Sequence, residues 1–507
     1  MGKNNIHFKA YEQGQTMAFP PTLEELIDKA HPVRVVSKII DELDLEPLMR
    51  KYKGGGTSSF HPRMMLKIIV YSYLNNVYSS RKMESAVKEN IHFMWLSGMS
   101  RPDHNTLNRF RSDRLKGVVK HIFGKVVELL VASEHVSLQQ VYTDGTKIEA
   151  SANRYTFVWG KSISTNKEKM ESQLKELWDY AEGIAREELR DKTPTTFAPI
   201  SPEHIKETVG KIDEALRDKV VDKKIKQKVN YAKKNWPDNV AKYQQQEQIL
   251  GDRGSYSKTD TDATFMRMKE DHMKNGQLKP GYNLQISTSN QYIVNYSIHQ
   301  TTNDVNTLKS HLESHQELYG ALPEILTADA GYGSEENFEL MEKLDIEGYV
   351  KYTSFDKEQQ GKDQPFKSEN FHYNQELDCF YCPMGQPMIR VRDSKKVTTT
   401  GFEQEVIYYQ AQRCSGCPLI AACHSAKGNR TIEVNHRLRN YKIKMRQKLT
   451  SEEGVQFRKK RCADVEPVFG NIKNNHGFKR FNLRGIEKVD IEAGLLAIAQ
   501  NLRKRAA

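Results

Sequence analysis

Three short segments, each carrying one carboxylate in a distinctive local setting, constrain this chain more than any other feature. Asp144 follows a short strand-like run in VYTDGTKIEA, and Asp329 ends the apolar run of EILTADAGYGS, each before a glycine turn. Glu466 lies in DVEPVFGNIKNN, a charged segment with helical spacing. These settings predict that the three carboxylates converge at one edge of a sheet. Because they would repel one another there, we expect two divalent cations, Mg²⁺ or Mn²⁺, and metal-dependent phosphodiester cleavage.

Length and charge bound the partners of the chain. It has 507 residues, of which 37% are hydrophobic, enough for several packed domains diluted by polar helices. Its net charge of +12 favours nucleic acid, since lysine and arginine release counterions from phosphates. Apolar stretches such as MMLKIIVYSYL are too short to span a membrane. MGKNNIHFKA lacks the apolar core of a signal peptide and the cysteines are clustered, which predicts a reducing cytoplasm.

The order of patterns predicts an α/β fold with a mixed sheet. The Asp144 strand precedes a long insertion, and the alternating runs GYNLQIST and YIVNYSIH then predict a hairpin. A helix, the Asp329 strand, a second helix and the strand EGYVKY follow. This is the order of a ribonuclease-H-like core. We therefore expect a catalytic domain over 134–507, interrupted by a helical insertion over 155–260 and a cysteine insertion over 360–430.

Residues 1–133 are predicted to form a helical domain with a helix-turn-helix that binds DNA. In RPDHNTLNRFR, Asp103 can cap a helix. The first two turns of that helix carry groups suited to phosphates and base edges. These candidate DNA-binding residues are Asn105, Asn108, Arg109 and Arg111. The plainer alternative is an ordinary helical bundle with a polar solvent face.

The insertion over 155–260 is dominated by lysine, glutamate and glutamine at helical spacing, with a narrow apolar stripe. It predicts a helical arm, and an antiparallel hairpin is one form that it can take. A solvated structural arm or dimerisation element is the favoured interpretation, and an arm that contacts DNA is the alternative.

Two C-x2-C pairs, separated by thirty-one residues, predict a structural zinc site of the zinc-ribbon kind. The candidate ligands are Cys379, Cys382, Cys414 and Cys417. Cys423 and His424 follow closely, and the sequence leaves open whether one of them replaces a ligand. The alternative is a reduced thiol cluster under a loop.

The segment after Glu466 concentrates cations near a carboxylate. Glu466 and Lys473 are seven residues apart and so share a helix face, and Arg480 and Arg484 follow. The carboxylate can then hold metal while the cations hold a DNA backbone. Asp464 points about 200° around the helix and is the weaker candidate. The alternative is a surface helix with a charge pair.

These segments, taken together, resemble the DDE transposases of bacterial insertion sequences, in the group with an N-terminal helical domain and a cysteine-containing insertion in the catalytic core. The resemblance rests on RPDHNTLNRFR, YTDGTKIEA, GYNLQIST, ADAGYGS and VEPVFGNIKNNHGFKRFNLRG, and covers most of the chain. It implies that Asp144, Asp329 and Glu466 are the catalytic metal ligands. It also implies that Lys473 contacts DNA near the transposon end. Related families place an arginine where this chain has Cys462, and Arg461 lies one residue away.

The implied activity is hydrolysis at the ends of a transposon, followed by attack of the exposed 3′-hydroxyl on target DNA. The implied partner is double-stranded DNA, and since two ends must be cut together a homodimer is expected, in a cytoplasmic, nucleoid-associated setting. Two rival interpretations stay open. One is a structure-specific nuclease on the same core, and the other is a non-enzymatic DNA-binding regulator.

Overall fold

The computed structural model describes residues 20–52, 58–189, 197–268, 276–361 and 365–507. The segment MGKNNIHFKA, on which the signal-peptide argument depends, lies outside the described residues. The chain divides into two compact units, one comprising 1–126 with 498–507 and the other 127–497. None of the described helices is long and apolar enough to cross a membrane.

The first unit is built from helices that bury apolar residues at helical spacing. Val33, Val36 and Ile40 are the buried side chains of its first helix, as their spacing predicts. Two helices begin at a histidine followed by proline, which suits the first helical position because proline has no N–H to leave unpaired. The helices up to residue 132 are α1 (Pro32–Glu42), α2 (Glu46–Met49), α3 (Pro62–Leu74), α4 (Ser80–Glu89), α5 (Ile91–Leu96), α6 (His104–Arg109), a π-helical turn (Phe110–Arg114) and α7 (Val119–Ala132).

The helical insertion of the second unit lies between two short strands that pair with each other. A cluster of buried apolar side chains that includes Trp178, Val209 and Trp236 forms its own core. The elements in chain order are β1 (Gln140–Glu149), β2 (Phe157–Trp159), α8 (Gly160–Ile184), α9 (Arg186–Leu189), α10 (Pro202–Ala215), α11 (Lys223–Leu250) and β3 (Ser255–Ser257). Strands β2 and β3 pair antiparallel at the base of the insertion. Helices therefore predominate here, as the composition predicts.

The central sheet is mixed, with the order β4-β5-β1-β7-β8 and β6 paired to β5. Strand β1 pairs antiparallel with β5 and parallel with β7, and β7 pairs parallel with β8. The elements are β4 (Thr264–Arg267), β5 (Leu278–Ser289), β6 (Tyr292–His299), α12 (Leu308–Tyr319), β7 (Ile325–Ala328), a 3₁₀ turn (Ala330–Tyr332), α13 (Glu335–Lys343), β8 (Glu347–Val350) and α14 (Phe355–Gln359). The expected α/β class is confirmed, and the sheet is compatible with a ribonuclease-H-like core.

The cysteine insertion is a five-stranded antiparallel sheet in the order β13-β12-β11-β10-β9. It has its own apolar core, which includes Phe380, Met388 and Tyr409. Its elements are a 3₁₀ turn (Ser368–Asn370), β9 (His372–Asn374), β10 (Cys379–Tyr381), β11 (Pro387–Val397), β12 (Glu403–Ala411), α15 (Ile420–Cys423) and β13 (Thr431–Val434). The small zinc-ribbon form expected from the cysteine spacing is not confirmed, since this sheet is larger than a ribbon.

The chain ends in long helices that follow the cysteine insertion. They are α16 (His436–Thr450), α17 (Glu452–Gly470), a π-helical turn (Asn471–Asn475) and α18 (Ile486–Ala506). Helix α17 begins at Ser451, whose hydroxyl accepts a hydrogen bond from the Gly454 amide. It contacts β1, β5, β7 and β8, so it packs across the sheet.

Candidate active site

The register of β1 and β7 brings the two aspartates to one edge of the sheet. Thr143 pairs with Ala328 in parallel, so Asp144 and Asp329 are the next positions on adjacent strands. Neighbouring strands lie about 4.8 Å apart. Asp144 is 7% exposed, and its Oδ1 accepts a hydrogen bond from the Gly145 amide at 2.7 Å. The first two predicted carboxylates are therefore neighbours.

Asp329 is held by the tight turn that follows β7. Its Oδ1 accepts a hydrogen bond from the Gly331 amide at 2.8 Å, which makes it the cap of a 3₁₀ turn. Two residues on, the chain passes so close to β8 that a Cβ atom on Gly333 would lie 2.3 Å from the Lys351 carbonyl oxygen. Only glycine fits at position 333, and this close approach fixes the turn that carries Asp329.

Arg461 joins the first and third predicted carboxylates. Its Nη1 lies 3.4 Å from Asp144 Oδ2, and its Nη2 lies 3.3 Å from Glu466 Oε1. The side chains of Arg461 and Asp144 are each 10% exposed, while that of Glu466 is 55% exposed. The guanidinium, one residue from the position at which related families place an arginine, is the cation that offsets these two acids.

Helix α17 is fixed against the sheet at the point where its hydrogen-bond ladder is broken. Pro467 has no N–H for the Ala463 carbonyl, and this oxygen accepts a hydrogen bond from Gln291 Nε2 at 2.9 Å. The Gln291 amide donates to Asp464 Oδ1 at 2.9 Å. Gln291 belongs to the β5–β6 turn, and these two bonds set the rotation of the helix beside Glu466. Asp464 thus holds the helix to the sheet on a face other than that of Glu466.

A fourth carboxylate, Asp304, lies beside the pair of aspartates. Its Oδ2 lies 3.5 Å from the position that a Cβ atom on Gly331 would take, and Asp329 Oδ1 lies 2.9 Å from the same point. Its Oδ1 accepts hydrogen bonds from Asn283 Nδ2 at 2.7 Å and Gln285 Nε2 at 2.9 Å. The sequence did not suggest Asp304. The available signal was the pair of polar side chains on β5, both of which are fully buried.

The electrostatics of this edge are strongly negative. Burial raises the pKa of Tyr332 well above its ordinary value, and the charges of nearby aspartates raise it further, while Arg461 acts in the opposite direction. The phenol is therefore neutral and donates a hydrogen bond to Gln285 Oε1, the amide that also binds Asp304. Asp304 is thus oriented by a buried polar network.

The predicted DNA-binding cations after Glu466 differ in their surroundings. Lys473 is 6% exposed and lies in the π-helical turn that follows α17. Arg480 donates to the carbonyls of Ala150 at 3.0 Å and Ala152 at 2.9 Å, and Arg484 donates to Ser151 at 2.7 Å. Both arginines are exposed and hold the segment that follows β1.

The predicted DNA-binding residues of the first unit also divide into exposed and buried groups. Asn105, Asn108 and Arg109 are exposed on α6, which begins at the cap Asp103. Arg111 is 3% exposed, so we assign it a structural role instead. Its guanidinium donates to the Tyr73 hydroxyl, the Tyr78 carbonyl and Asn108 Oδ1 at 3.1, 2.7 and 3.3 Å.

A charge network links α4 to the first residue of α6. Glu84 Oε1 accepts a hydrogen bond from Lys88 Nζ at 2.6 Å, and Oε2 lies 2.7 Å from His104 Nδ1. Hydrogen bonds from Lys88 and His104 lower the pKa of Glu84 from 4.5 to about 2. The carboxylate therefore holds the two helices of the predicted helix-turn-helix together.

The four predicted zinc ligands do not form one group. Cys379 is 4% exposed on β10, where its side chain shares a strand face with that of Tyr381, to which it is hydrogen-bonded. Cys382, Cys414 and Cys417 instead line one small cavity with Cys423. Cys379 is not among the residues that line this cavity.

The donor chemistry of the carboxylate site fits Mg²⁺ or Mn²⁺, since carboxylate oxygens are the hard ligands that these ions prefer. Across the part of the chain that the structure describes, no group of three or more His, Cys, Asp and Glu side chains is arranged to hold a metal ion. At the carboxylates, the guanidinium of Arg461 lies between Asp144 and Glu466.

Two family models match this chain. A transposase domain (DUF772) matches residues 21–113, and a transposase DDE domain matches residues 381–506. Both matches support an insertion-sequence DDE transposase. The predicted resemblance is thereby confirmed. Comparisons with curated proteins and with solved structures gave no match.

The two matched segments cover different features of this chain. The first includes α1 and the run from α3 to α6, and the second includes Glu466, Arg461 and most of the cysteine insertion. Asp144 and Asp329 lie between the two matches, so their assignment depends on the sequence pattern and the register of β1 and β7. A DDE domain suggests a metal-dependent, nucleic-acid-cleaving enzyme with DNA as its substrate.

Proposed function

We propose that the transposase binds the ends of its insertion sequence, cleaves a phosphodiester bond there, and joins the resulting 3′-hydroxyl to target DNA. One observation carries the proposal, namely the adjacency of Asp144 and Asp329 on parallel strands, with Arg461 linking Asp144 to Glu466. The two transposase matches favour this reaction over the nuclease and regulator interpretations.

Asp144, Asp329 and Glu466 are the proposed ligands of two Mg²⁺ or Mn²⁺ ions. Such ions activate a water or a 3′-hydroxyl and stabilise the leaving oxygen of an in-line displacement. Arg461 is a positioning residue in this scheme, because its two contacts keep the exposed glutamate directed at Asp144. The bonds from Gln291 to α17 serve the same purpose from the opposite side of the helix.

DNA is held by separate groups of side chains. On α6, Asn105, Asn108 and Arg109 are exposed and are proposed to contact the transposon end. After α17, Arg480 and Arg484 are proposed to contact phosphates, and Lys473 is proposed to follow them after a local rearrangement, because it is buried here. Since two ends must be cut together, the active form is proposed to be a homodimer in the bacterial cytoplasm, associated with the nucleoid.

The test is incubation with a labelled duplex that carries the end of the element encoding this chain, with Mg²⁺. Asp329→Ala and Glu466→Ala are compared with Glu452→Gln, which removes an exposed acid from the first turn of the same helix. We expect nicking at the element boundary and joined products with the wild type and Glu452→Gln. Both products should be absent with the other two variants.

Each alternative has its own result. Cleavage of branched or hybrid substrates without joined products identifies a structure-specific nuclease. Binding of the end without nicking, with all variants alike, overturns the catalytic assignment and leaves the DNA-binding regulator.

A further inference from the structure

Four cysteines from three separate segments surround one cavity in the cysteine insertion. Cys382 follows β10, Cys414 and Cys417 follow β12, and Cys423 ends the short helix α15. All four line a cavity of about 30 Å³. This space is comparable to the volume of one water molecule, so it suits a single ion and not an organic ligand or an iron–sulfur cluster.

Two of these segments have similar turns. After Cys382, the Gly385 amide donates to the Cys382 carbonyl at 2.8 Å, and Gly385 has a φ of 74°. In the second turn the Cys417 amide donates to the Cys414 carbonyl at 3.1 Å, with Gly416 at a φ of 77°. A glycine with positive φ within three residues of each cysteine lets the chain reverse there, and both Cys382 and Cys414 line the cavity.

Donor groups surround the sulfur atoms. The Arg430 amide donates to Cys414 Sγ at 3.3 Å, and Arg430 Nη1 donates to Cys423 Sγ at 2.8 Å. Two of the sulfur atoms that line the cavity therefore accept hydrogen bonds from Arg430, one from its amide and one from its guanidinium. Four thiolates around one divalent cation carry a net charge of −2, and Arg430 offsets part of it.

His424 supplies an independent observation. It lines the same cavity, and both of its ring nitrogens are buried without a hydrogen-bond partner among the residues that the structure describes. A buried imidazole without a partner is costly, because at least one of its nitrogens should donate. A metal-bound thiolate in the cavity provides the missing acceptor.

We propose that Cys382, Cys414, Cys417 and Cys423 bind one structural Zn²⁺ ion. A tetrahedral set of four sulfur ligands selects zinc, which has no redox chemistry. Zn–S bonds of about 2.3 Å require the side chains to rotate inward, since no three of them stand at ligand spacing in the present arrangement. His424 donates a ring N–H to one thiolate, and Cys379 takes no part.

The ion has a structural purpose in this sheet. Its ligands join the end of β10, the end of β12 and the loop before β13. The apolar core beneath them is small, and a small core gains stability when metal binding is coupled to folding. Zinc would therefore fix the insertion that precedes α16 and α17.

The test is the zinc content of the purified full-length chain by mass spectrometry. We expect about one zinc per chain in the wild type, in Cys379→Ser and in Cys462→Ser. The content should fall at least fivefold in Cys423→Ser and Cys417→Ser. Zinc lost from Cys379→Ser but kept in Cys423→Ser would overturn the ligand set in favour of the two C-x2-C pairs.

A measurement on the wild type covers variants that fail to fold. An organomercurial that reacts with thiols should release one zinc per chain to a chromogenic chelator. The four cavity thiols should resist a disulfide reagent until a strong chelator is added, whereas the exposed Cys462 should react without it. Iron in place of zinc, six freely reactive thiols, or a disulfide among the four cysteines would each refute the proposal. These readouts need no DNA, so they are independent of the nicking test.

Discussion

Removing the cation that joins two of the proposed catalytic acids should destabilise the second unit and make it depend on divalent metal. In Arg461→Met the side chain keeps its length, but Asp144 loses its charged partner. At 3.4 Å, two unit charges attract by about 5 kcal/mol at an effective dielectric constant of about 20. Desolvation of both groups offsets part of this attraction.

The expected net loss follows from the burial of the pair. Breaking a buried ion pair costs about 3–5 kcal/mol, because one charge is left uncompensated. The contact to Glu466 adds at most about 1 kcal/mol, since 55% of that side chain is exposed. We therefore expect a loss of about 3 kcal/mol without metal. This corresponds to about 6 °C in melting temperature, at about 2 °C per kcal/mol for a large domain.

Magnesium should reverse part of this loss. Without the guanidinium, the carboxylates attract a divalent cation more strongly. A tenfold gain in affinity adds about 1.4 kcal/mol of stabilisation at saturating Mg²⁺. The assay is thermal unfolding followed by tryptophan fluorescence, with and without 10 mM Mg²⁺, on wild type, Arg461→Met and Lys459→Met. Lys459 is an exposed lysine on the same helix and serves as the matched control.

The double variant Asp144→Asn, Arg461→Met separates the ion pair from packing. If the two charges act on each other, the double variant should lose about 2 kcal/mol less than the two single losses combined. A melting temperature for Arg461→Met within 1 °C of the Lys459→Met value, or additive losses in the cycle, would refute the reasoning.

Three further predictions concern other parts of the molecule. Gly333→Ala places a Cβ atom 2.3 Å from the Lys351 carbonyl oxygen and should lower the free energy of unfolding by about 1–3 kcal/mol. The control Gly183→Ala has nothing within 4 Å of its new Cβ atom and should cost nothing in thermal unfolding. Equal effects of the two substitutions would contradict this prediction. The pKa of Glu84 is lowered to about 2, so its contribution is complete above its unfolded value of 4.5 and is lost as the pH falls from 4.5 towards 2. Glu84→Gln should therefore flatten the pH dependence of the free energy of unfolding between pH 4.5 and about 2. An unchanged dependence would exclude a stabilising role for the Glu84 carboxylate. Asp304→Asn keeps the size of a side chain beside Asp329 but removes its charge. It should raise the Mg²⁺ concentration for half-maximal nicking about tenfold without changing the melting temperature. An unchanged Mg²⁺ requirement would show that Asp304 does not belong to the site.

The strands of the central sheet were predictable because each signal is local. Tyr282, Leu284 and Ile286 alternate with polar residues, and β5 covers all of them. The hairpin turn was also predictable, since the polar segment SNQ lies between two alternating runs. In the structure Asn290 and Gln291 both adopt positive φ, as a tight hairpin turn requires. The meeting of two aspartates at one edge then follows from parallel pairing. These steps need no information about distant contacts.

The cysteine insertion was harder to predict, because its longest strand, β11, lacks the alternation of buried and exposed residues that is typical of a strand. Along β11 nearly every side chain after Met388 is exposed, so polar residues occupy both faces and no period of two appears. The position of Cys379 was hard to predict for a related reason. The C-x2-C spacing of Cys379 and Cys382 looks like a turn, but Cys379 lies in a strand and only the residues after it turn.

The geometry around Glu466 could not be predicted from the sequence, because it depends on a proline inside a helix. A proline inside a helix normally argues against the helix, yet Pro467 lies within α17 and leaves one carbonyl for a residue of the β5–β6 turn. That long-range bond, together with the one to Asp464, sets the helix rotation that lets Arg461 reach Asp144. A strictly regular helix would satisfy its own carbonyl and have no such anchor to the sheet. The irregularity therefore supplies the means by which a glutamate distant in sequence is aligned with the two aspartates.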